Sequence, residues 1–114
     1  MRNDNDGTEN GVVVEWAPFR LAPGADEAAL LEASDALQRD FLRQQPGFVR
    51  RDLLRAADGQ WADLVVWKDE PSAMAAMSAA ESSTVCSVYF RLIAGAEGHD
   101  VGAGVLHLHR VRAY

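Results

Sequence analysis

The hairpin predicted over Gln45 to Lys68 constrains the fold of this chain more than any other stretch. Two runs rich in branched and aromatic residues, Phe48 to Arg55 and Trp61 to Lys68, flank a turn that contains Asp58-Gly59. Asp-Gly between two such runs is typical of an antiparallel connection, because glycine adopts positive φ without strain. Pro46-Gly47 ends any preceding helix, since proline lacks the amide donor that a helix requires. We therefore expect two adjacent antiparallel strands.

Composition limits the kinds of partner that the chain can have. The 114 residues are 48% apolar, enough for one core, and a formal charge of −6 argues against nucleic acid or an anionic membrane as the main partner. No apolar run approaches the roughly 20 residues that span a bilayer. The single cysteine, Cys86, allows no intrachain disulfide and no cysteine-based zinc site, and it suits the cytoplasm. Met1 to Asn10 is polar and acidic, which predicts a disordered tail, not a signal peptide, before a domain at 11–114.

The remaining elements follow from periodicity and capping signals. Asp26 is the expected N-cap of a first helix that runs to about Gln44, with Leu30, Ala33, Leu37 and Phe41 on its buried stripe. Gly-rich residues between Ala94 and Gly104 predict a loop. The other predicted elements are a first strand, a second helix opened by Asp69-Glu70-Pro71, a short helix and a last strand: Gly11 to Leu21, Ser72 to Ser82, Val85 to Ile93 and Val105 to Tyr114.

The order β-α-β-β-α-β predicts an α+β fold of the ferredoxin-like type, with a four-stranded antiparallel sheet and its helices on one face. The first strand nevertheless carries apolar residues on both faces: Val12, Val14 and Trp16 on one, Val13, Ala17 and Phe19 on the other. The face without helices needs a cover. An identical sheet from a second copy would supply it.

Three residues are candidates for chemistry on the strands. His107 and His109 alternate on one face of the last strand, and such imidazoles could bind a metal, exchange protons near neutral pH, or be inert. Glu15 lies between valine and tryptophan in the first strand, where a carboxylate must find a partner or acquire a raised pKa. Its expected structural partner is Arg110 or Arg112, and its functional role would be that of a base.

Other polar and aromatic residues have structural interpretations beside functional ones. Asp63, in the third strand, is a similar candidate for the ligand site, but it lies close enough to the hairpin turn to be solvated. The basic strand residues Arg50, Arg51 and Arg55 suggest ion pairs between subunits. Cys86 is expected to be a small buried apolar residue. Trp61 and Trp67 lie six residues apart and therefore share one strand face. Trp67, after Leu64-Val65-Val66, is the better buried of the two.

These segments together resemble the antibiotic biosynthesis monooxygenase-like family of the dimeric α/β-barrel superfamily. The resemblance covers Val12 to Tyr114 and rests on five features: Gln45-Pro46-Gly47-Phe48 with its hairpin, Trp61 through Val66-Trp67, the helix opening at Glu70-Pro71, the Cys86 to Ile93 segment and the His-rich last strand. It implies a homodimer whose sheets face each other. It also implies a pocket in each subunit between sheet and helices, and oxygenation of phenolic or quinol substrates without a cofactor.

The resemblance also suggests roles for individual residues. Trp61 and Trp67 match the third-strand tryptophan associated with the site, and the indole of Trp67 could stack on a planar ligand. Tyr89 and Phe90 would line the mouth of the pocket if the short helix lies over the sheet. The haem-degrading branch is a poor match, because the first strand offers Glu15 where that branch has asparagine and the second helix has no histidine.

Two functions are consistent with these patterns. The first is a cofactor-free, monooxygenase-like homodimer that acts on a small aromatic or polyketide-like molecule, with His107, His109 or Glu15 as base and no metal. The second is a homodimer of the same fold that binds a small ligand without turnover, or a stress-linked accessory protein. Thermal stabilisation by a ligand without oxygen uptake would distinguish the second from the first.

Overall fold

The computed structural model describes residues 11–94 and 104–114. The predicted tail and most of the predicted glycine-rich loop lie outside these residues. The elements, in chain order, are β1 Val13–Phe19, α1 Glu27–Asp40, a 3₁₀ turn Leu42–Gln44, β2 Phe48–Arg55, β3 Trp61–Trp67, α2 Glu70–Ala80, α3 Thr84–Phe90 and β4 Leu106–His109. The four strands form one antiparallel sheet in the order β2-β3-β1-β4, so the predicted α+β ferredoxin-like fold is confirmed.

The helices between Glu27 and Phe90 cover one face of the sheet, and none of these described helices lies over the other face. Cross-strand pairs share a face, so the register assigns each side chain. The helix-facing side carries Val13, Phe19, Trp61, Val65 and Trp67, all buried in one core with apolar residues of the helices. The predicted α1 stripe of Leu30, Ala33, Leu37 and Phe41 lies in that core, which confirms the helical periodicity.

Several element boundaries differ from the expectations, and three of the differences have a visible local cause. The first helix ends at Asp40, because Phe41 leaves helical geometry at φ −128° and the chain continues as the 3₁₀ turn. The short helix begins at Thr84, where the Ser83 side chain accepts a hydrogen bond from the Cys86 amide. The last strand covers only Leu106–His109, not Val105 to Tyr114. His109 pairs with Val13, the first residue of β1, and the Arg110 amide then donates to the Val12 carbonyl at 3.0 Å, where the described pairing of β4 ends.

The turn at Gln45-Pro46-Gly47 fixes the start of β2. Gly47 has φ +84°, and the Phe48 amide donates to the Gln45 carbonyl at 3.2 Å, which is the pattern of a turn with proline second and glycine third. The Gly47 carbonyl then accepts from the Lys68 amide at 2.9 Å, which closes the far end of the β2–β3 hairpin. The same glycine therefore ends the helical region and sets the hairpin in register.

Substitution of Gly47 by alanine should destabilise the protein more than the same change at another positive-φ glycine. A Cβ at Gly47 would lie 2.5 Å from Ser72 Cβ at the start of α2, whereas a Cβ at Gly24, φ +86°, meets nothing within 4 Å. Both variants carry the backbone strain, so Gly47→Ala should lower the free energy of unfolding by about 1–3 kcal/mol more than Gly24→Ala. Urea titrations of the two variants measure this difference, and equal losses would show that α2 yields to the added methyl group.

Candidate functional site

Polar side chains from all four strands lie on the helix-facing side of the sheet. Glu15 and His107 are directly opposite each other on β1 and β4, and Asp63 and Arg51 come from β3 and β2. They form two clusters, one around Glu15 and one around Asp63. Apolar residues surround both, so each buried polar group requires a partner.

The first cluster joins Glu15, His107 and Trp67. The Trp67 Nε1–H donates to Glu15 Oε1 at 3.2 Å, and His107 Nε2 lies 3.4 Å from the same oxygen. Within the described residues His107 Nε2 is buried and makes no hydrogen bond of normal geometry. The side chains of Glu15 and His107 are 19% and 18% exposed, so each keeps a small solvent-accessible surface. The expectation that Glu15 would pair with Arg110 or Arg112 is wrong, because the register of β4 places His107 opposite it.

Burial raises the pKa of the Glu15 carboxyl above its ordinary value. The hydrogen bond from Trp67 and the contact with His107 oppose this rise, and the charge of Asp63 adds to it. A carboxyl with a raised pKa holds a proton at a pH where an exposed carboxyl has lost it. Next to an imidazole, such a group can accept and return a proton, which is the chemistry of a general base.

The second cluster is a closed network of Arg51, Asp63 and Tyr89. Arg51 Nε donates to Asp63 Oδ1 at 2.7 Å, Tyr89 Oη donates to Asp63 Oδ2 at 2.7 Å, and Arg51 Nη2 donates to Tyr89 Oη at 3.1 Å. The side chains of Arg51 and Asp63 are only 4% and 11% exposed. Burial and the charge of Asp63 raise the pKa of the Tyr89 hydroxyl, so it remains a donor. Asp63 is therefore buried and paired, and the prediction that it would be solvated is wrong.

The basic residues of β2 each pair within the chain, and the predicted ion pairs between subunits stay a prediction. Arg50 contacts Asp52 on the same strand, Arg51 contacts Asp63, and Arg55 Nη1 lies 2.6 Å from a carboxylate oxygen of Glu27 on α1. Arg51 reaches the helix-facing side because the register shifts between Phe48 and Arg50. A bulge of this kind inserts one residue and reverses the alternation of faces, and the sequence carries no signal for it.

The remaining predicted site residues lie apart from the Glu15 cluster. His109 Nε2 lies 3.9 Å from a carboxylate oxygen of Glu70, and it is half-exposed. Tyr89 is buried in the core, while Phe90 is partly buried with its ring 6.1 Å from that of Tyr89. The place of these two residues at the mouth of a pocket stays a prediction. Cys86 is buried as predicted, and burial raises the pKa of its thiol.

Trp61 and Trp67 share the helix-facing side, as the even spacing predicted. Trp61 stacks on Phe19 with ring centroids 6.2 Å apart, whereas Phe48 contacts Trp67 edge-on at 5.8 Å. Trp67 is 2% exposed, so packing covers its ring in this structure. The stacking of Trp67 on a ligand stays a prediction.

The described residues contain no group of three or more His, Cys, Asp or Glu side chains close enough to hold a metal ion. His107 and His109 are directed to different carboxylates, Glu15 and Glu70. No helix in the described part of the chain is long and apolar enough to cross a membrane. A groove of about 480 Å³ lies elsewhere, between the end of β4 and the residues that follow it; it is lined by Val14, Leu108, His109, Arg110, Val111, Arg112 and Tyr114.

The fold is that of the antibiotic biosynthesis monooxygenase-like structures, which confirms the resemblance at the level of the fold. SnoaB, a cofactor-independent oxygenase from Streptomyces nogalater, is similar with a TM-score of 0.60, 21% identity and coverage of 73% of this chain and 84% of its own. A Bordetella bronchiseptica protein that carries the provisional name of antibiotic biosynthesis monooxygenase has a TM-score of 0.66 at 16% identity, over 91% of this chain and 99% of its own.

Rv0793 from Mycobacterium tuberculosis is similar with a TM-score of 0.63 at 20% identity, over 90% of this chain and 97% of its own. No protein-family model matches the chain, and no curated protein matches it in sequence. At these identities the solved structures establish the fold. A fold does not determine a reaction, so the residues of the Glu15 cluster are what bears on the chemistry of this protein.

Proposed function

We propose that this protein is a cofactor-independent, monooxygenase-like enzyme that acts on a small aromatic or polyketide-like molecule. The observation that supports this most is the Glu15 carboxyl, whose pKa burial raises, held beside the buried and unbonded Nε2 of His107. The similarity to SnoaB, itself a cofactor-independent oxygenase, supports the same class of reaction.

The proposed chemistry needs only a base and a dry site. Glu15, assisted by His107, takes the hydroxyl proton of an activated phenol or quinol, and a ring C–H carbon of the resulting anion forms a C–O bond with O₂. Protonation gives a hydroperoxide, whose O–O bond breaks with loss of water and leaves a ring carbonyl, so one oxygen atom enters the product and the other leaves as water. Apolar packing around the cluster keeps water away from the reactive anion. Trp61 and Phe90 are proposed to line the ligand site, and His109 is a second candidate base at its edge.

We propose that a second copy of the chain covers the sheet face without helices. Val14, Trp16, Leu64, Leu106 and Leu108 share that face, and Leu106 and Leu108 are 53% and 50% exposed. The charged pair on this face, Arg50 with Asp52, is neutral as a unit. Arg110 and Arg112 border this face beside Val14 and Leu108, so its centre is apolar and its margin is charged. An apolar surface of this kind is complementary to an identical copy of itself.

The Leu106→Glu variant should be monomeric at concentrations where the wild type is a dimer, because the interface would bury two unpaired carboxylates. Leu31→Glu, a matched change at an exposed leucine of α1, should leave the mass unchanged. Light scattering after size exclusion across a dilution series measures both. A wild type that is monomeric throughout would contradict the proposed dimer.

Oxygen uptake with a panel of activated phenols and quinols tests the enzyme directly. We expect uptake in the presence of chelator, with a loss in Glu15→Gln and none in Glu27→Gln, which alters an exposed carboxylate of α1. Thermal stabilisation by a panel member without oxygen uptake would instead support the second function, ligand binding without turnover. A cytoplasmic location remains part of the proposal, in keeping with the single buried thiol.

A further inference from the structure

We propose that Trp67 is a positioning residue whose indole N–H holds the Glu15 carboxylate toward His107. The carboxylate that the indole holds then makes the reactive contact with the ligand. The inference rests on the proposed function for its catalytic meaning. Its structural content, one hydrogen bond that orients one carboxylate, can be tested without any substrate.

The strand register brings these three residues together. Glu15 lies directly opposite Val65 on β3 and His107 on β4, and Trp67 is two residues beyond Val65. Trp67 is thus a diagonal neighbour of Glu15 on the same face, a separation that a long aromatic side chain can cross. The Trp67 Nε1 to Glu15 Oε1 distance of 3.2 Å shows that the indole does so.

Both contacts of the carboxylate converge on one oxygen. Trp67 Nε1 and His107 Nε2 lie 3.2 Å and 3.4 Å from Glu15 Oε1. Within the described residues no hydrogen bond reaches Oε2. The indole is 2% exposed and Phe48 packs edge-on against it, so it can be held rigidly and can hold Oε1 in turn. We therefore assign Oε2, which has no such contact among the described residues, to the ligand.

Trp61 provides the internal comparison. It lies on the same strand and the same face, and it is buried to nearly the same degree. Its ring, however, stacks on Phe19 and lies 5.5 Å from the Arg55 guanidinium, and no bond from its N–H to a carboxylate is found in the described part of the chain. Burial alone therefore does not distinguish the two tryptophans. They differ in that the N–H of Trp67 contacts the Glu15 carboxylate.

Other charged groups face Glu15 and also affect its titration. His107 approaches from β4, and Asp63 from β3 acts on the carboxyl by its charge. Asp63 is itself held by Arg51 from β2 and Tyr89 from α3. Any measurement must therefore separate the effect of the Trp67 hydrogen bond from the charges of this neighbouring network.

The indole N–H resonances of ¹⁵N-labelled protein between pH 3.5 and 8 provide the first test. The Trp67 signal should shift with a midpoint above the ordinary glutamate pKa of about 4.3, and the shift should vanish in Glu15→Gln. Trp61 should lack this transition. A Trp67 signal that does not titrate, or that titrates unchanged in Glu15→Gln, would overturn the proposal.

The Trp67→Phe variant provides the second test, with Trp61→Phe as control. Loss of the N–H removes a bond that lowers the pKa of Glu15, so the midpoint of its carboxyl ¹³C resonance should rise by about 0.5–1 pH unit, the equivalent of one hydrogen bond. Trp61→Phe should leave that midpoint in place. An equal shift in both variants would show a general packing effect. Failure to find a substrate would count against the proposed function but would leave both titrations interpretable.

Discussion

The Asp63→Ala variant should lose about 3–5 kcal/mol of unfolding free energy, because it leaves the Arg51 guanidinium buried without its counter-ion. Arg51 and Asp63 are 4% and 11% exposed, and Asp63 uses both carboxylate oxygens within the network. A domain of this size is stabilised by about 5–15 kcal/mol in total. The single change would therefore remove a large part of the stability.

Asp52→Ala is the matched control for this experiment. Asp52 lies on the same hairpin and also pairs with an arginine, Arg50, but both side chains are about half-exposed. Exposed ion pairs contribute about 0–1 kcal/mol, so this variant should unfold close to the wild type. Urea titrations of both variants decide the matter. A loss below about 1 kcal/mol in Asp63→Ala would mean that water enters and solvates Arg51.

The Tyr89→Phe variant removes the hydroxyl group but keeps both charged side chains of the network, Arg51 and Asp63. Its removal leaves the Arg51–Asp63 bond in place but takes one partner from each of those residues. We expect a smaller loss of about 1–3 kcal/mol, the effect of leaving a buried acceptor unsatisfied. The expected loss of unfolding free energy is therefore largest for Asp63→Ala, smaller for Tyr89→Phe and smallest for Asp52→Ala. This order follows from burial and not from the number of contacts.

The sequence predicted the parts of this molecule that depend on periodicity. The buried stripe of α1 appears at helical spacing. The Pro46-Gly47 turn precedes β2 and the Asp58-Gly59 turn joins β2 to β3, both where expected. Trp61 and Trp67 share a face because six is an even number of residues along a strand. Each of these predictions depends only on residues that are close in sequence, within one helix, one strand or one hairpin.

The pairing of polar residues could not be predicted in the same way. Glu15 faces His107 because of the register between β1 and β4, which come together across most of the chain. Arg51 faces Asp63 because a bulge shifts β2 by one residue, and alternation from Phe48 would have assigned Arg51 to the other face. Asp63 is close to the turn in sequence, but Tyr89 and Arg51 enclose it. Register, bulges and helix docking are all non-local.

The Glu15→Gln variant should lose about 10²- to 10⁴-fold in the rate of oxygen uptake, the usual effect of removing a general base. Glutamine has nearly the same shape, and its side-chain oxygen can still accept from Trp67 Nε1–H. The amide, however, cannot take a proton from the substrate. Glu27→Gln, at an exposed carboxylate of α1, should retain full activity. A Glu15→Gln variant as active as the wild type would exclude the carboxylate as the base.

The same substitution should stabilise the folded protein at neutral pH. The folded-state pKa of Glu15 is raised, so the stability that this group contributes is fully present below the unfolded pKa of about 4.3 and is lost as the pH rises through the folded value. Glutamine stays neutral throughout. The unfolding free energy of Glu15→Gln minus that of the wild type should therefore be larger at pH 7.5 than at pH 4.

Measured together, activity and stability separate a functional carboxylate from a structural one. A structural carboxylate such as Asp63 should reduce stability when it is replaced, because its partners lose their counter-charge. Replacement of Glu15 should instead increase stability at neutral pH. The folded protein holds the ionised carboxylate in an apolar site, which lowers the free energy of unfolding. Greater stability with lost turnover is therefore the result expected of a catalytic base. Lower stability of Glu15→Gln at pH 7.5 would assign Glu15 to the scaffold.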